Sequence, residues 1–401
     1  MGKSKHLNNT DDNARKVNVI IVGASIRNLG AESMTSIIIE KVQRLAPDSV
    51  IYLASPDKKG MQIKVWHHEK GYVFPTDTEW HKNSLTGLIL KSKIGIRRDK
   101  QYEDILQETK VIIDISGYSF ATKFGVVSLY EYLNRIFCAK SLNIPYYICS
   151  QSFGPFEISS TKERIIFSRL TKKLFKYPEI ITAREKKGYN CLKKYCHKNL
   201  VYKPDMVLLY PDKLNYSNLR KDIAFDRLEI KNDRSVAIIP NERIISQTEN
   251  GVKYINGLKR IINNLINDNY EVWVVAHCNL DIYICETLVN EYGSNVGFID
   301  CTKSGSALFD DIVQCFSFLV AARYHSIVHA YRRFRPVLAF GWEEKYNELL
   351  LEMKQQQYMI DCRYDISEDE IDSKLEHLKQ NIGAESARIQ AALETLRKKY
   401  K

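Results

Sequence analysis

Apolar residues in this chain gather into short, unbroken runs separated by longer amphipathic stretches. NVIIVG (18–23), VIYLA (50–54), VIIDIS (111–116), YYICSQ (146–151) and EIITA (179–183) form one series. VAIIP (236–240), VWVVA (272–276), GFID (297–300), SFLVAA (317–322) and PVLAF (336–340) form a second. Continuous Val/Ile runs mark strands covered on both faces, as in the parallel sheets of α/β proteins. The stretches between them carry the helical period. In GVKYINGLKRIINNLIND, Tyr254, Leu258, Ile261, Ile262 and Leu265 fall on one face.

A polar segment, LYPDKLNYSNLRKDIAFDRLEIKNDRS (209–235), separates the two series. The pattern predicts a disordered arm over 1–16 and a Rossmann-like α/β domain over 17–210. A linker over 211–231, a second Rossmann-like domain over 232–360 and C-terminal helices over 361–401 follow. Ser367 and Glu370 read as a capping box, and a last helix over 384–399 ends in cations that suit its dipole. Two such domains enclose a cleft, and ligands of these folds sit at the C-terminal ends of the strands.

Composition narrows this picture. The chain has 401 residues, 44% of them hydrophobic and 11% aromatic, enough for two real cores. A formal net charge of +11 suits an anionic partner: a phosphorylated metabolite, a nucleic acid or an anionic membrane surface. Nine cysteines, an odd number with no CxxC pair, read as free thiols. Several lie in apolar runs (IFCAK, YYICSQ, IVQCF), which predicts burial and a reducing compartment. The N-terminus lacks the apolar core of a secretory signal, and no run of about 18 apolar residues exists to span a membrane. A cytoplasmic protein is expected.

The chemistry gathers where strands end. Arg323-Tyr324-His325 follows the run SFLVAA and opens a helix. A helix N-terminus offers free N–H groups, an Arg fork matches carboxylate or phosphate, and an imidazole passes protons near neutral pH. Arg184 stands in the same place after EIITA. Two such arginines fit a ligand with two or three negative charges. VGASIRNLGAESM (22–34) brings Asn28 and Glu32 to another strand end, and DISGYSF (114–120) and SQSFGPF (150–156) bring Ser116 and Gln151. These four polar groups are candidates for sugar hydroxyls, and Asp205, in KPD, reads as a turn or cap residue. HExxH, Asp-x-Asp, GxSxG, Walker A and metal-spaced His/Cys patterns are all missing, so a metal-independent reaction is expected. Basic stretches at 90–100, 161–176 and 331–335 read as solvated faces or an anionic membrane contact. No nucleic-acid-binding module is legible, and nucleic acid is not an expected partner.

Taken in order, these stretches resemble the polysaccharide pyruvyl transferase family. The matching pieces are Asn28-x-Gly30, DISG, SQSFGPF, TAREKKGYNCLK, KPD and RYHSIVHAYRRFRPVLAFGWEEK, with Lys345 in the last. The chain carries Tyr324 where the family has Leu, and Ala31-Glu32 where an Asp is usual. The resemblance implies two Rossmann-like domains in a GT-B-like arrangement, the first on the acceptor side and the second on the donor side. It implies transfer of pyruvate from phosphoenolpyruvate, a co-substrate with no further cofactor, to two hydroxyls of a sugar in a surface-polysaccharide precursor. Arg184, Arg323, Tyr324 and His325 map onto its donor site. With Lys345 beside them, His325 is the expected acid/base and Arg323 its partner in catalysis. A lipid-diphosphate-linked acceptor at the inner membrane face would suit the basic surface. Two other readings share the same pattern: a GT-B glycosyltransferase using a nucleotide sugar, and a non-catalytic glycan- or nucleic-acid-binding protein.

Overall fold

The structure, a computed structural model, describes residues 17–25, 28–57, 60–67, 71–72, 79–80, 105, 107–214, 230 and 234–401. The expected arm (1–16), the basic stretch 90–100 and most of the expected linker (211–231) lie outside the described residues.

Each apolar run forms a strand, and the strands build two sheets. The first contains β1 (Asn18–Val22), β2 (Val50–Asp57), β3 (Gly60–His67), β4 (Gly71–Tyr72), β5 (Glu79–Trp80) and β6 (Thr109–Asp114). It continues with β7 (Tyr118–Phe120), β8 (Tyr146–Phe153), β9 (Ile180–Ala183) and β10 (Leu200–Tyr202). Its order is β10-β9-β8-β6-β1-β2-β3-β4, with β5 on β3 and β7 on β8. The second sheet is β13-β12-β11-β14-β15-β16, from β11 (Ser235–Ile239), β12 (Glu271–Ala276), β13 (Val296–Asp300), β14 (Phe318–Ala321), β15 (Val337–Gly341) and β16 (Met359–Asp361). Every pairing in the second sheet is parallel. The first departs from the expected parallel sheet at one edge, where β2 turns back into β3 as an antiparallel pair. The signal is present as alternation: Met61, Ile63 and Val65 interleave with Gln62 and Lys64.

Strand period 2 divides the interior. Ile20 and Val22 of β1 pack outward with the helices Val126–Ser141 and Thr161–Leu174, whereas Val19 and Ile21 face the helix Leu29–Leu45. In β11, Val236 and Ile238 join the helix Gly251–Asn267, whereas Ala237 and Ile239 join the other side. The two inward faces share one hydrophobic cluster, which also holds Ile327, Val328 and Tyr331 of the helix Tyr324–Arg332. The domains are therefore joined by a common core.

The basic stretch 331–335 belongs to this joint and is not a solvated face. Tyr331 and Arg332 are buried, and Arg332 Nη1 donates to the carbonyls of Val207 (2.6 Å) and Tyr210 (2.9 Å). Buried His329 is held by Ser33 Oγ (3.0 Å) and Asp310 Oδ1 (2.8 Å). The chain's last segment is one helix, Glu368–Lys399, rather than separate helices. Gly383 costs it about 1 kcal/mol relative to Ala but does not break it. Ser367 caps it, accepting from Glu370 N. Leu375 and Leu378 pack in the second domain, Ile389 and Leu393 in the shared core, and Arg397 Nη2 donates to Tyr210 O at 3.0 Å. All nine cysteines are free thiols. Cys138 and Cys149, expected in the interior, are half-buried, and Cys315 is exposed on a turn after the helix Ser306–Val313.

Candidate active site

A cavity of about 260 Å³ lies between the sheets, at the C-terminal ends of β1, β6, β9, β11, β12, β14 and β15. Two glycines shape its floor. Gly23 leaves β1 with φ +82°, and a Cβ there would lie 2.4 Å from Ser116 Cα, so only glycine lets β1 and the β6 loop meet. Gly30 sits in the first turn of the helix Leu29–Leu45, which Asn28 caps by accepting from Gly30 N at 2.9 Å. A Cβ on Gly30 would lie 2.1 Å from His325 Nδ1. The space a side chain would occupy belongs to the imidazole of the other domain.

The structure brings Arg184, Arg323, Tyr324, His325 and Lys345 to this one cavity, together with Asn28 and Ser116. Arg184 ends β9. Its Nε donates to Ser152 Oγ and Glu185 Oε1, both 2.9 Å, and its Nη1 to Asp205 Oδ2 at 3.1 Å. Burial works against its charge, but Glu185 and Asp205 outweigh it and raise its pKa, so it is a fixed cation. The guanidinium lies 4.9 Å from the Tyr324 ring centroid. Arg323 caps the helix Tyr324–Arg332 and lays its Nε on Asp281 Oδ2 at 2.8 Å, with Nη2 on the other carboxylate oxygen. Both arginines thus spend part of their donor set on structural acids, which orients them, and keep a guanidinium edge toward the cavity.

His325 Nε2 stands 3.6 Å from Asp205 Oδ2, too long for a hydrogen bond. Burial pushes the imidazole pKa down against the pull of Asp205, so the ring is neutral near neutral pH. Asp205 is a cap residue, accepting from Val207 N at 2.8 Å, but also the hub between Arg184 and His325. Burial raises its pKa, and the Arg184 guanidinium and the Val207 N–H more than reverse this, holding it well below the usual carboxylate range. Lys345 pairs with Glu343 and sits among the rings of Tyr118, Trp342, Tyr346 and Tyr324, 5.2–5.8 Å from their centroids. Burial lowers its pKa, and Glu343 opposes this. Glu343 also pairs with Lys123 of the first domain, so the mouth of the cavity is an inter-domain contact.

Two sequence candidates do not reach the cavity. Gln151 is fully buried, with Nε2 donating to Asp114 O (2.9 Å) and Asp114 Oδ1 (2.8 Å) and Oε1 accepting from Tyr132 OH (2.8 Å). It props the DISG loop rather than facing a sugar. Glu32 is fully buried inside the first turn of its helix. Ser116 lines the cavity with Oγ accepting from Arg135 Nη1 at 3.0 Å. Trp342 of the last matched stretch and four residues outside any motif, Asn241, His277, Cys278 and Tyr346, complete the wall. Among the described residues no group of three or more His, Cys, Asp or Glu could hold a metal ion. No helix among them is long and apolar enough to cross a membrane.

Two parallel-sheet α/β domains facing a cleft define a GT-B fold. Solved structures agree: the S. aureus MnaA-UDP co-structure matches with TM-score 0.51 at 8% identity, covering 93% of this chain and 91% of that one. A glycosyltransferase from Rickettsia africae matches with TM-score 0.50 at 10% identity, covering 96% and 95%. At these identities the likeness concerns the fold. No curated protein sequence matches the chain. The family model for polysaccharide pyruvyl transferase matches residues 28–344, and the chain belongs to that family.

Proposed function

We propose that this protein transfers the pyruvyl group of phosphoenolpyruvate onto two hydroxyls of one sugar, releasing phosphate and leaving a ketal. The observation that carries this reading is the convergence of Arg184, Arg323 and His325, from separate strand ends, on one small cavity. Phosphoenolpyruvate presents a carboxylate and a phosphate, and two oriented guanidinium groups match both.

C3 of the enolpyruvyl group gains a proton, and a sugar oxygen bonds to C2 as its own proton leaves. The second hydroxyl then bonds to C2 as the C2–O bond to phosphate breaks, and its proton departs with phosphate. His325 is the group that carries protons. Burial holds it neutral, and an anion bound beside it raises its pKa, so it gives a proton to C3 and receives one from the hydroxyl. The arginines hold the charge that grows on the leaving phosphate. Asn28, Ser116 and the tyrosine-rich mouth are left for the acceptor. A lipid-diphosphate-linked glycan at the cytoplasmic membrane face fits the basic outer helix Thr161–Leu174 of the first domain.

The test is incubation with phosphoenolpyruvate and a panel of glycans, reading phosphate release and the mass of the ketal product. The reading predicts both signals only with donor and acceptor together, and their loss in His325→Ala. Near-normal turnover in that variant removes His325 from the mechanism. Stabilisation by UDP- or GDP-sugars but not by phosphoenolpyruvate would favour a glycosyltransferase instead.

A further inference from the structure

The domain joint contains two buried histidines with opposite surroundings. His329 has both ring nitrogens engaged, by Ser33 and Asp310. His277, immediately after β12, is 2% exposed and lines the cavity, and among the described residues neither its Nδ1 nor its Nε2 has a hydrogen-bond partner. Its one directional contact is edge-on with the Phe309 ring at 4.9 Å, which leaves both nitrogens unspent. Buried polar groups are nearly always paired, and an orphan at a cavity wall is a place where a ligand completes the bonding. The charged neighbours point to the ligand's sign. Arg323, and His325 and His329 of the helix that it precedes, all act electrostatically on His277 against its protonation. Asp281 is committed to Arg323, and Asp310, on the helix that carries Phe309, to His329 and Arg333. Cys278 adjoins it and bridges to Asn28. No carboxylate among these is left for the imidazole.

We infer that His277 is an anion-binding residue of the donor pocket: its ring N–H donates to a phosphate or carboxylate oxygen, and anion binding brings a proton onto the ring. The chemistry follows from the free state. Burial, then Arg323, holds the ring neutral, and an anion bound against it opposes both by favouring the protonated form. The residue thus couples donor capture to proton uptake beside His325. This rests on the donor reading above, extending it to a residue in no motif.

The experiment is calorimetric titration of the full-length protein with phosphoenolpyruvate and, separately, inorganic phosphate, in two buffers of different ionisation enthalpy near neutral pH. Wild type, His277→Asn and His277→Phe are compared, with thermal melts confirming that each variant folds. Wild type should take up a proton on binding. Both variants should bind more weakly, His277→Phe by about tenfold, the loss of one hydrogen bond to a charged group. Proton uptake should fall in both, and Asn, which keeps a donor, should retain more affinity than Phe. Unchanged affinity and unchanged proton uptake in both variants would overturn the inference while leaving the donor reading intact. If wild type binds phosphate through His277 but ignores phosphoenolpyruvate, the donor reading falls and the anion site stands.

Discussion

Position 30 shows how tightly the two domains specify one another. The helix Leu29–Leu45 would gain intrinsic stability of about 1 kcal/mol from an alanine there. The structure forbids it, because the His325 ring occupies the volume of the missing Cβ. Gly30→Ala is therefore expected to leave the helix intact but push the imidazole away from Asp205. The expected outcome is a fall of at least 10²-fold in kcat for ketal formation with a melting temperature within a few degrees of wild type. Activity near wild type would mean the imidazole position is unimportant. The link was only half visible in the sequence: N-x-G could be recognised as a family motif, but not that its glycine answers a histidine 295 positions away. His277, Asn241 and Asp281 were not legible at all, since each is a single polar residue in a strand-to-helix connection and only packing shows what surrounds it. Gln151 and Glu32 read as site residues because they stand at element ends, and burial had already claimed them.

At the level of elements, the basic stretches separate into two kinds. In the helix Tyr324–Arg332 the period turns Tyr331 and Arg332 inward, so a run of cations that looked like surface acts as a clamp on the carbonyls after Asp205. The helix Thr161–Leu174 is the opposite case. It buries only Phe167, Thr171 and Leu174, and it exposes Lys162, Arg164, Lys172 and Lys173 beside Ile165 (46% exposed) and Ile166 (40%). Cations flanking exposed isoleucines would suit an anionic bilayer contact, at about 1 kcal/mol per basic side chain. Reversing Lys162, Lys172 and Lys173 to Glu should weaken co-sedimentation with anionic phospholipid vesicles by roughly a hundredfold or more. Turnover on a water-soluble acceptor should stay unchanged. Equal sedimentation of variant and wild type would rule out this face as the contact. The strands themselves were readable because they are continuous apolar runs. Strand β3 and its antiparallel pairing were not, because its apolar residues alternate with polar ones instead of running unbroken.

For the whole molecule, the shared core and the C-terminal helix that fastens both domains make the cavity a property of the joint. The net charge of +11 and the three cations at the cavity, each steadied by its own acid, set its sign. The sequence could place the arginines at strand ends, and the fold rule then put them near one cleft. It could not show that each is already paired, which decides that they are oriented donors rather than loose charges. The most direct measurement of the account is a crystal structure of the protein with phosphoenolpyruvate bound. One donor should lie between the domains, with its carboxylate and phosphate within hydrogen-bond distance of Arg184 and Arg323 and its C3 facing His325. Phosphoenolpyruvate bound away from these three residues, or these residues parted across an open cleft in the complex, would contradict it.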